Sequence, residues 1–68
     1  MSARIEVGDT IRIYDRALPR FRRQYGELPE TFVVKGHDMV GGKRRLHVDG
    51  PPGAIWAMHA RIVKRAKP

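Results

Sequence analysis

Basic side chains are the residues of this sequence with the clearest chemical potential, because they are grouped. Eleven of the fourteen lysines and arginines fall in three clusters. The clusters are Arg16, Arg20, Arg22 and Arg23; Lys43, Arg44 and Arg45; and Arg61, Lys64, Arg65 and Lys67. Most of the cations are arginines, whose planar guanidinium matches phosphate oxygens through paired hydrogen bonds. The pattern is typical of a surface that binds a polyanion.

The charge balance of the whole chain agrees with this interpretation. The formal net charge is +7, and only seven Asp and Glu residues offset the cations. Phe21, Tyr25 and Trp56 are interspersed among the clusters, where aromatic rings can stack on bases or on apolar surface. Basic loops also keep a small protein in solution, but a balanced surface would do so equally well. The predicted phosphate contacts are Arg16, Arg20, Arg22, Arg23, Lys43, Arg44, Arg45, Arg61, Lys64 and Arg65.

Other site chemistries find little support in the residue types present. The chain has no cysteine, which excludes disulfides, cysteine-based zinc sites and thiol nucleophiles. His37, His47 and His59 are spaced too widely and too evenly for a compact metal-ligand motif. The only serine is Ser2, at the start of the chain, and Gly41-Gly42-Lys43 fits a hairpin turn better than a phosphate loop. We therefore expect no metal, no cofactor and no catalytic centre in this chain.

The length allows one small domain with a modest core. At 68 residues the sequence contains no apolar run near the roughly 18 residues that a membrane span needs, and no apolar signal-peptide centre. An intracellular, non-secreted protein is expected on this basis, with no membrane partner and no small-molecule substrate. We divide the chain into an N-terminal extension (residues 1–6), a folded domain (residues 7–65) and a basic tail (residues 66–68).

Apolar residues alternate with a period of two, which predicts strands rather than helices. The predicted strands cover residues 10–15, 31–35, 44–49, 54–58 and 62–64. Residues 16–30 contain Pro19, Gly26 and Pro29 and are predicted to form a long basic loop, and residues 36–42 a turn. The strongest turn signal is residues 50–53, Gly-Pro-Pro-Gly. A helix over residues 54–66 is less favoured, because no capping residue stands at its start.

The strand pattern predicts an all-β fold, a small five-stranded SH3-like barrel with one long loop after the first strand. The side chains expected to face its core are Ile11, Ile13, Phe32, Val34, Leu46, Val48 and Ile55. Trp56 is expected to belong to the core rather than to a binding platform.

The order of short motifs along the chain resembles a known family. The motifs are Val7-Gly8-Asp9-Thr10-Ile11, Phe32-Val33-Val34, Val48-Asp49-Gly50, Ile55-Trp56, His59-Ala60, Val63-Lys64 and Ala66-Lys67-Pro68. In this order they resemble the C-terminal domain of retroviral integrases, above all its gammaretroviral branch and related endogenous elements. The family usually has Trp and then a Gly-Pro-aromatic step before the central strand, where this chain has Tyr25-Gly26, Pro29 and Phe32.

The resemblance implies a function as well as a fold. Such domains are SH3-like barrels that perform no chemistry, hold viral and target DNA by the backbone, and bridge integrase subunits in the DNA-bound assembly. It also implies a location in the virion and the host nucleus. Two other classes stay open: a protein-interaction module with an aromatic loop, and a free-standing RNA- or protein-binding barrel of phage or bacterial origin.

Overall fold

The computed structural model describes residues 4–66 and contains five strands, one α-helix and one 3₁₀ helix. The elements are β1 (Thr10–Ile13), α1 (Leu18–Tyr25), β2 (Phe32–Val40), β3 (Lys43–Val48), β4 (Ala54–Trp56), the 3₁₀ helix (Ala57–His59) and β5 (Ala60–Lys64). Ser2, Lys67, and most of the predicted basic tail lie outside the described residues.

The strands form one antiparallel sheet in the order β4-β3-β2-β1-β5. The long strand β2 pairs with β1 through its first residues and with β3 along most of its length. The register of β2 against β3 shifts between Val34 and Gly36. Such a bulge bends the strand that carries it. The prediction of a small all-β, barrel-like fold is confirmed, although β4 and β5, the edge strands, do not pair and the sheet is not closed.

The core consists of the side chains that alternation points inward. All seven predicted core residues are buried, and Ile11, Val34 and Leu46 have no exposed surface. Ile5 and Ala60 are buried with them. Ile5 lies in the predicted N-terminal extension, and a single apolar residue without periodic neighbours carries no strand signal. Trp56 faces away from Ile55 on β4 and is half-buried, outside the buried cluster.

The prediction of a loop over residues 16–30 is wrong for Leu18–Tyr25, which form α1. Pro19 stands in the first helical turn, where its missing N–H has no partner to lose. Leu18 and Phe21 pack against the core from this helix, although Ala17 supplies no side-chain cap. A helix of eight residues is stabilised mainly by such packing. Pro19 and the lack of a capping side chain favoured a loop, and packing of Leu18 and Phe21 against the core stabilises a helix instead.

The predicted turn over residues 36–42 is also wrong, because β2 continues to Val40 and only Gly41 and Gly42 turn. Residues 37–40 lack apolar alternation, and the backbone pairing with β3 holds them extended. Smaller corrections concern three strand ends. β1 ends at Ile13, the predicted fourth strand passes into the 3₁₀ helix after Trp56, and β5 starts at Ala60.

The turn over residues 50–53 is confirmed. The backbone N–H of Gly53 donates to the carbonyl of Gly50 at 2.7 Å. Both glycines have positive φ, 72° and 81°, which a residue with a side chain rarely adopts. None of the helices within residues 4–66 is long and apolar enough to cross a membrane.

Candidate nucleic-acid interface

Two arginines stand directly opposite one another on neighbouring strands. Arg12 of β1 pairs in register with Arg61 of β5. Ile11 and Ile13 on either side of Arg12 are buried, so strand alternation turns Arg12 outward. Like charges directly opposite on one sheet face destabilise the sheet. This pairing therefore concentrates positive charge at a cost to the fold.

Arg16 joins these two arginines at a surface depression. Arg12, Tyr14, Asp15, Arg16 and Arg61 line it. The guanidinium of Arg16 lies over the ring of Tyr14, 5.5 Å from its centroid, and Arg12 Nη2 donates to Asp15 Oδ1 at 3.2 Å. The structure thus brings one arginine of the first sequence cluster next to one of the third.

Arg22 extends the same surface on the other side of Arg12. A second depression is lined by Arg12, Ile13, Leu18, Arg22, Leu28, Pro29, Glu30 and Phe32. Because Arg12 borders both depressions, they adjoin. We call the surface formed by Arg12, Arg16, Arg22 and Arg61 the Arg12 surface.

The Arg12 surface is positively charged after its carboxylates are counted. Asp15 and Glu30 are the acids among the residues that line the two depressions. The Arg12–Asp15 pair is exposed, and exposed ion pairs contribute little, so a phosphate can displace the carboxylate. Within residues 4–66, Arg16, Arg22 and Arg61 have no carboxylate within ion-pair distance. Several cations here are available to an external anion.

Arg12 is the residue of this surface that the sequence clusters missed. It is isolated between two isoleucines, so grouping by proximity in the chain does not select it. The signal that does select it is a cation at the outward position of an alternating strand. Only the pairing of β1 with β5 shows that this position faces Arg61.

The other two arginines on α1, Arg20 and Arg23, do not line the Arg12 surface. Arg23 is exposed on the helix. Arg20 borders a separate groove between α1, β4 and the 3₁₀ helix. The groove is lined by Arg20, Phe21, Gln24, Tyr25, Ala54, Trp56 and His59. We call it the aromatic groove.

The second cluster lies at the far end of the β2–β3 hairpin. β1 pairs with Phe32 and Val33 of β2, whereas Lys43 pairs with Val40, about 23 Å further along an extended strand. Lys43 is exposed, and Arg44 is half-buried with Nε and Nη2 buried and without a hydrogen-bond partner in the described part of the chain. The structure does not bring this cluster to the Arg12 surface.

Arg45 of the second cluster is engaged within the protein. Its Nε and Nη2 donate to the two carboxylate oxygens of Asp38 at 3.1 and 2.8 Å. This hydrogen bonding lowers the pKa of Asp38, with a smaller contribution from His47, and raises the pKa of Arg45. His47 Nε2 lies 3.2 Å from Asp38 Oδ2. Arg45 is therefore less available to an external phosphate than Lys43.

The described residues of the third cluster differ in their surroundings: Arg65 is held by contacts within the protein, whereas Arg61 lines the Arg12 surface. Arg65 Nη1 donates to the carbonyl of Arg4 at 3.1 Å and lies 3.7 Å from the buried carboxylate of Asp9. Lys64 is exposed and pairs in register with Thr10. Among the members of this cluster that fall within residues 4–66, Arg61 is the one that lines the Arg12 surface.

The three histidines have different surroundings and do not form one cluster. His37 is exposed on β2, His47 contacts Asp38, and His59 packs its ring edge-on against Phe21 with centroids 6.0 Å apart. Among residues 4–66 no three His, Asp or Glu side chains are close enough together to hold a metal ion.

No protein-family model matches this chain. Comparisons with curated proteins and with solved structures likewise give no significant match. Function must therefore be inferred from the charge and geometry of this molecule and from the order of its motifs.

Proposed function

We propose that this chain is a non-catalytic module that binds nucleic acid through the phosphate backbone. The observation that carries the proposal is the Arg12 surface, where four arginines from β1, α1, β5 and the turn after β1 border adjoining depressions. Phosphates are spaced regularly along a nucleic acid, so one strand presents several anions to such a surface.

The opposed pair of Arg12 and Arg61 explains why an anion would bind here. Each guanidinium raises the free energy of the other in the unbound protein. A phosphate between them accepts hydrogen bonds from both guanidinium groups, and its negative charge offsets their repulsion. The bound state thus gains both the new hydrogen bonds and the relief of an existing repulsion.

In its narrower form the proposal assigns the chain to the C-terminal-type domains of retroviral integrases. The support is the motif order from Val7 to Pro68 together with an antiparallel sheet of five strands. Viral and target DNA and neighbouring integrase subunits are then the partners, and the virion and host nucleus the location. The alternative is a free-standing module that binds RNA or protein.

A salt titration of duplex binding, followed by fluorescence anisotropy, tests the proposal. If each arginine of the Arg12 surface neutralises one phosphate, log affinity falls against log salt with a slope of about −3.6. Duplexes of unrelated sequence bind with equal affinity, because contacts to phosphate carry no direct sequence information. Absence of binding at low salt, or a slope near zero, would overturn the proposal.

A single-stranded RNA and a single-stranded DNA of equal length, titrated in parallel, separate the narrow form from its alternative. An integrase-type domain binds the DNA strand at least as tightly as the RNA strand. A tenfold preference for the RNA strand would favour the free-standing module instead.

A further inference from the structure

The aromatic groove has the composition of a site for a planar ligand. Phe21 and Tyr25 of α1 stack with centroids 6.2 Å apart and ring planes 24° from parallel. Trp56 at the end of β4 and His59 in the 3₁₀ helix line the groove with them. The groove has a volume of about 320 Å³, at the small end of the range for ligand pockets.

The four rings differ in whether they are held by packing within the protein or can be reached by a ligand. Phe21 is half-buried against the core and touches both Tyr25 and His59. The His59 Nδ1 atom is buried and has no hydrogen-bond partner in the part of the chain described, so packing holds this ring. Tyr25 is 40% exposed and Trp56 is half-buried. Unlike Phe21, Trp56 does not pack against the core cluster. We therefore take Tyr25 and Trp56 as the rings available to a ligand.

The polar residues of the groove favour an anionic ligand with hydrogen-bonding edges. Arg20 and Gln24 lie one helical turn apart on α1, and both line the groove. No carboxylate is among its lining residues. Arg23, three residues after Arg20, adds a second cation on the exposed part of α1. A peptide with basic residues would find no charge partner here, whereas a nucleotide finds both a cation and an amide.

We propose that the aromatic groove binds an unpaired nucleobase of single-stranded nucleic acid. The base stacks on Tyr25 and Trp56, Gln24 meets its polar edge, and Arg20 contacts a flanking phosphate. Stacking tolerates any base, because every base has a π-face. This inference rests on the proposed function and adds single strands, or unpaired ends of a duplex, to its ligands.

Trp56 is the only tryptophan of the chain, so its fluorescence reports directly on the groove. The test titrates the wild-type protein with oligothymidine and with an abasic strand of equal length. The abasic strand carries the same phosphates without bases. We expect oligothymidine to quench Trp56 and to bind more tightly, and the abasic strand to bind without quenching.

Tyr25→Ala and Tyr25→Phe form the matched pair of variants. Tyr25→Ala lowers affinity for oligothymidine about 5- to 140-fold, and Tyr25→Phe, which keeps the ring, preserves it. Neither variant changes affinity for a blunt duplex, and thermal melts establish that both fold. Tyr25→Gln, which keeps a flexible polar chain without a ring, behaves like Tyr25→Ala.

The outcomes separate this inference from the proposed function. If the protein binds a duplex, and oligothymidine and the abasic strand show equal affinity and equal quenching of Trp56, the nucleobase site is overturned and the proposed function stands. Loss of binding to every nucleic acid overturns both. Quenching of Trp56 by a proline-rich peptide but not by oligothymidine would show a protein-docking groove and also overturn the inference.

Discussion

The Oδ1 atom of Asp9 accepts a hydrogen bond from the backbone N–H of Ala66 at 2.9 Å, joining segments 57 residues apart in the chain. Its Oδ2 atom accepts from the backbone N–H of Glu6 at 2.8 Å, and Arg65 lies 3.7 Å away. The Asp9 residue is only 2% exposed. One buried carboxylate thus holds the segment before β1 against the segment after β5.

Stability should depend on the ionisation of Asp9. The hydrogen bond from Glu6, then that from Ala66, and the charge of Arg65 lower its pKa below 3.8, against the effect of burial. A carboxyl with a lower pKa in the folded protein contributes stability that is present above its unfolded pKa and is lost as pH falls through its folded pKa. We expect Asp9→Asn to melt at a lower temperature than wild type at neutral pH, and the difference to shrink well below pH 3.8.

The control for this prediction is Asp49→Asn. Asp49 is an exposed carboxylate 3.8 Å from Lys35, and such pairs contribute little. Its melting temperature should stay near that of wild type at both pH values. Equal melting of Asp9→Asn and wild type at neutral pH would contradict the role given to Asp9.

Gly8 should tolerate alanine less well than Gly26. Both have positive φ, +94° and +81°, which costs a residue with a side chain about 1–3 kcal/mol. A Cβ at Gly8 would also lie 2.9 Å from the Cβ of Ala66, whereas one at Gly26 has nothing within 4 Å. Urea unfolding of Gly8→Ala and Gly26→Ala should show the larger loss at Gly8. Equal losses would mean that the segment carrying Ala66 moves aside freely.

The loss in the free energy of unfolding should increase with the volume of buried side chain that a mutation removes. Leu46→Ala deletes a fully buried side chain and should lower the free energy of unfolding by about 2–5 kcal/mol. Ile55→Val, a smaller deletion at a buried site, should cost about 0.5–1.5 kcal/mol. Val63→Ala, at an exposed position of β5, should stay within about 0.5 kcal/mol of wild type. Urea unfolding measures all three, and a large loss at Val63 would place the core differently.

Arg12→Ala and Arg61→Ala should each weaken duplex binding and reduce the magnitude of the salt slope by about 0.9, the contribution of one phosphate contact. Lys35→Ala removes the same charge from a residue near Asp49 and serves as the matched control. Its slope should equal that of wild type. If all three variants behave alike, net charge rather than the Arg12 surface governs binding.

Replacing Arg22 and Arg23 together by alanine should weaken DNA binding without unfolding the domain, because both side chains are exposed. The single variants should differ. Arg22 lines a depression of the Arg12 surface and Arg23 does not, so Arg22→Ala should lose more affinity for a duplex. Anisotropy titrations compare them, and a greater loss for Arg23→Ala would shift the duplex footprint along α1.

Much of the five-stranded sheet could be predicted from the sequence because it depends on local alternation. Ile11 and Ile13, like Leu46 and Val48, are two residues apart, and a strand turns such pairs to one face whatever its partners are. Turn residues act locally in the same way, as Gly50 and Gly53 do. The extension of β2 to Val40 and the helix α1 escaped prediction because pairing with β3 and packing on the core stabilise them.

The sequence by itself determined the strand periodicity, the core side chains and the excess of positive charge. Only the tertiary structure decided which charges meet. Arg12 faces Arg61 because β1 pairs with β5, and Arg45 is occupied because Asp38 lies opposite it on β2. Asp9 accepts a hydrogen bond from Ala66 because pairing of β1 with β5 brings the residue before β1 close to the segment after β5. Composition and spacing describe neighbours along the chain, whereas electrostatic interactions depend on distance in space, which strand pairing sets.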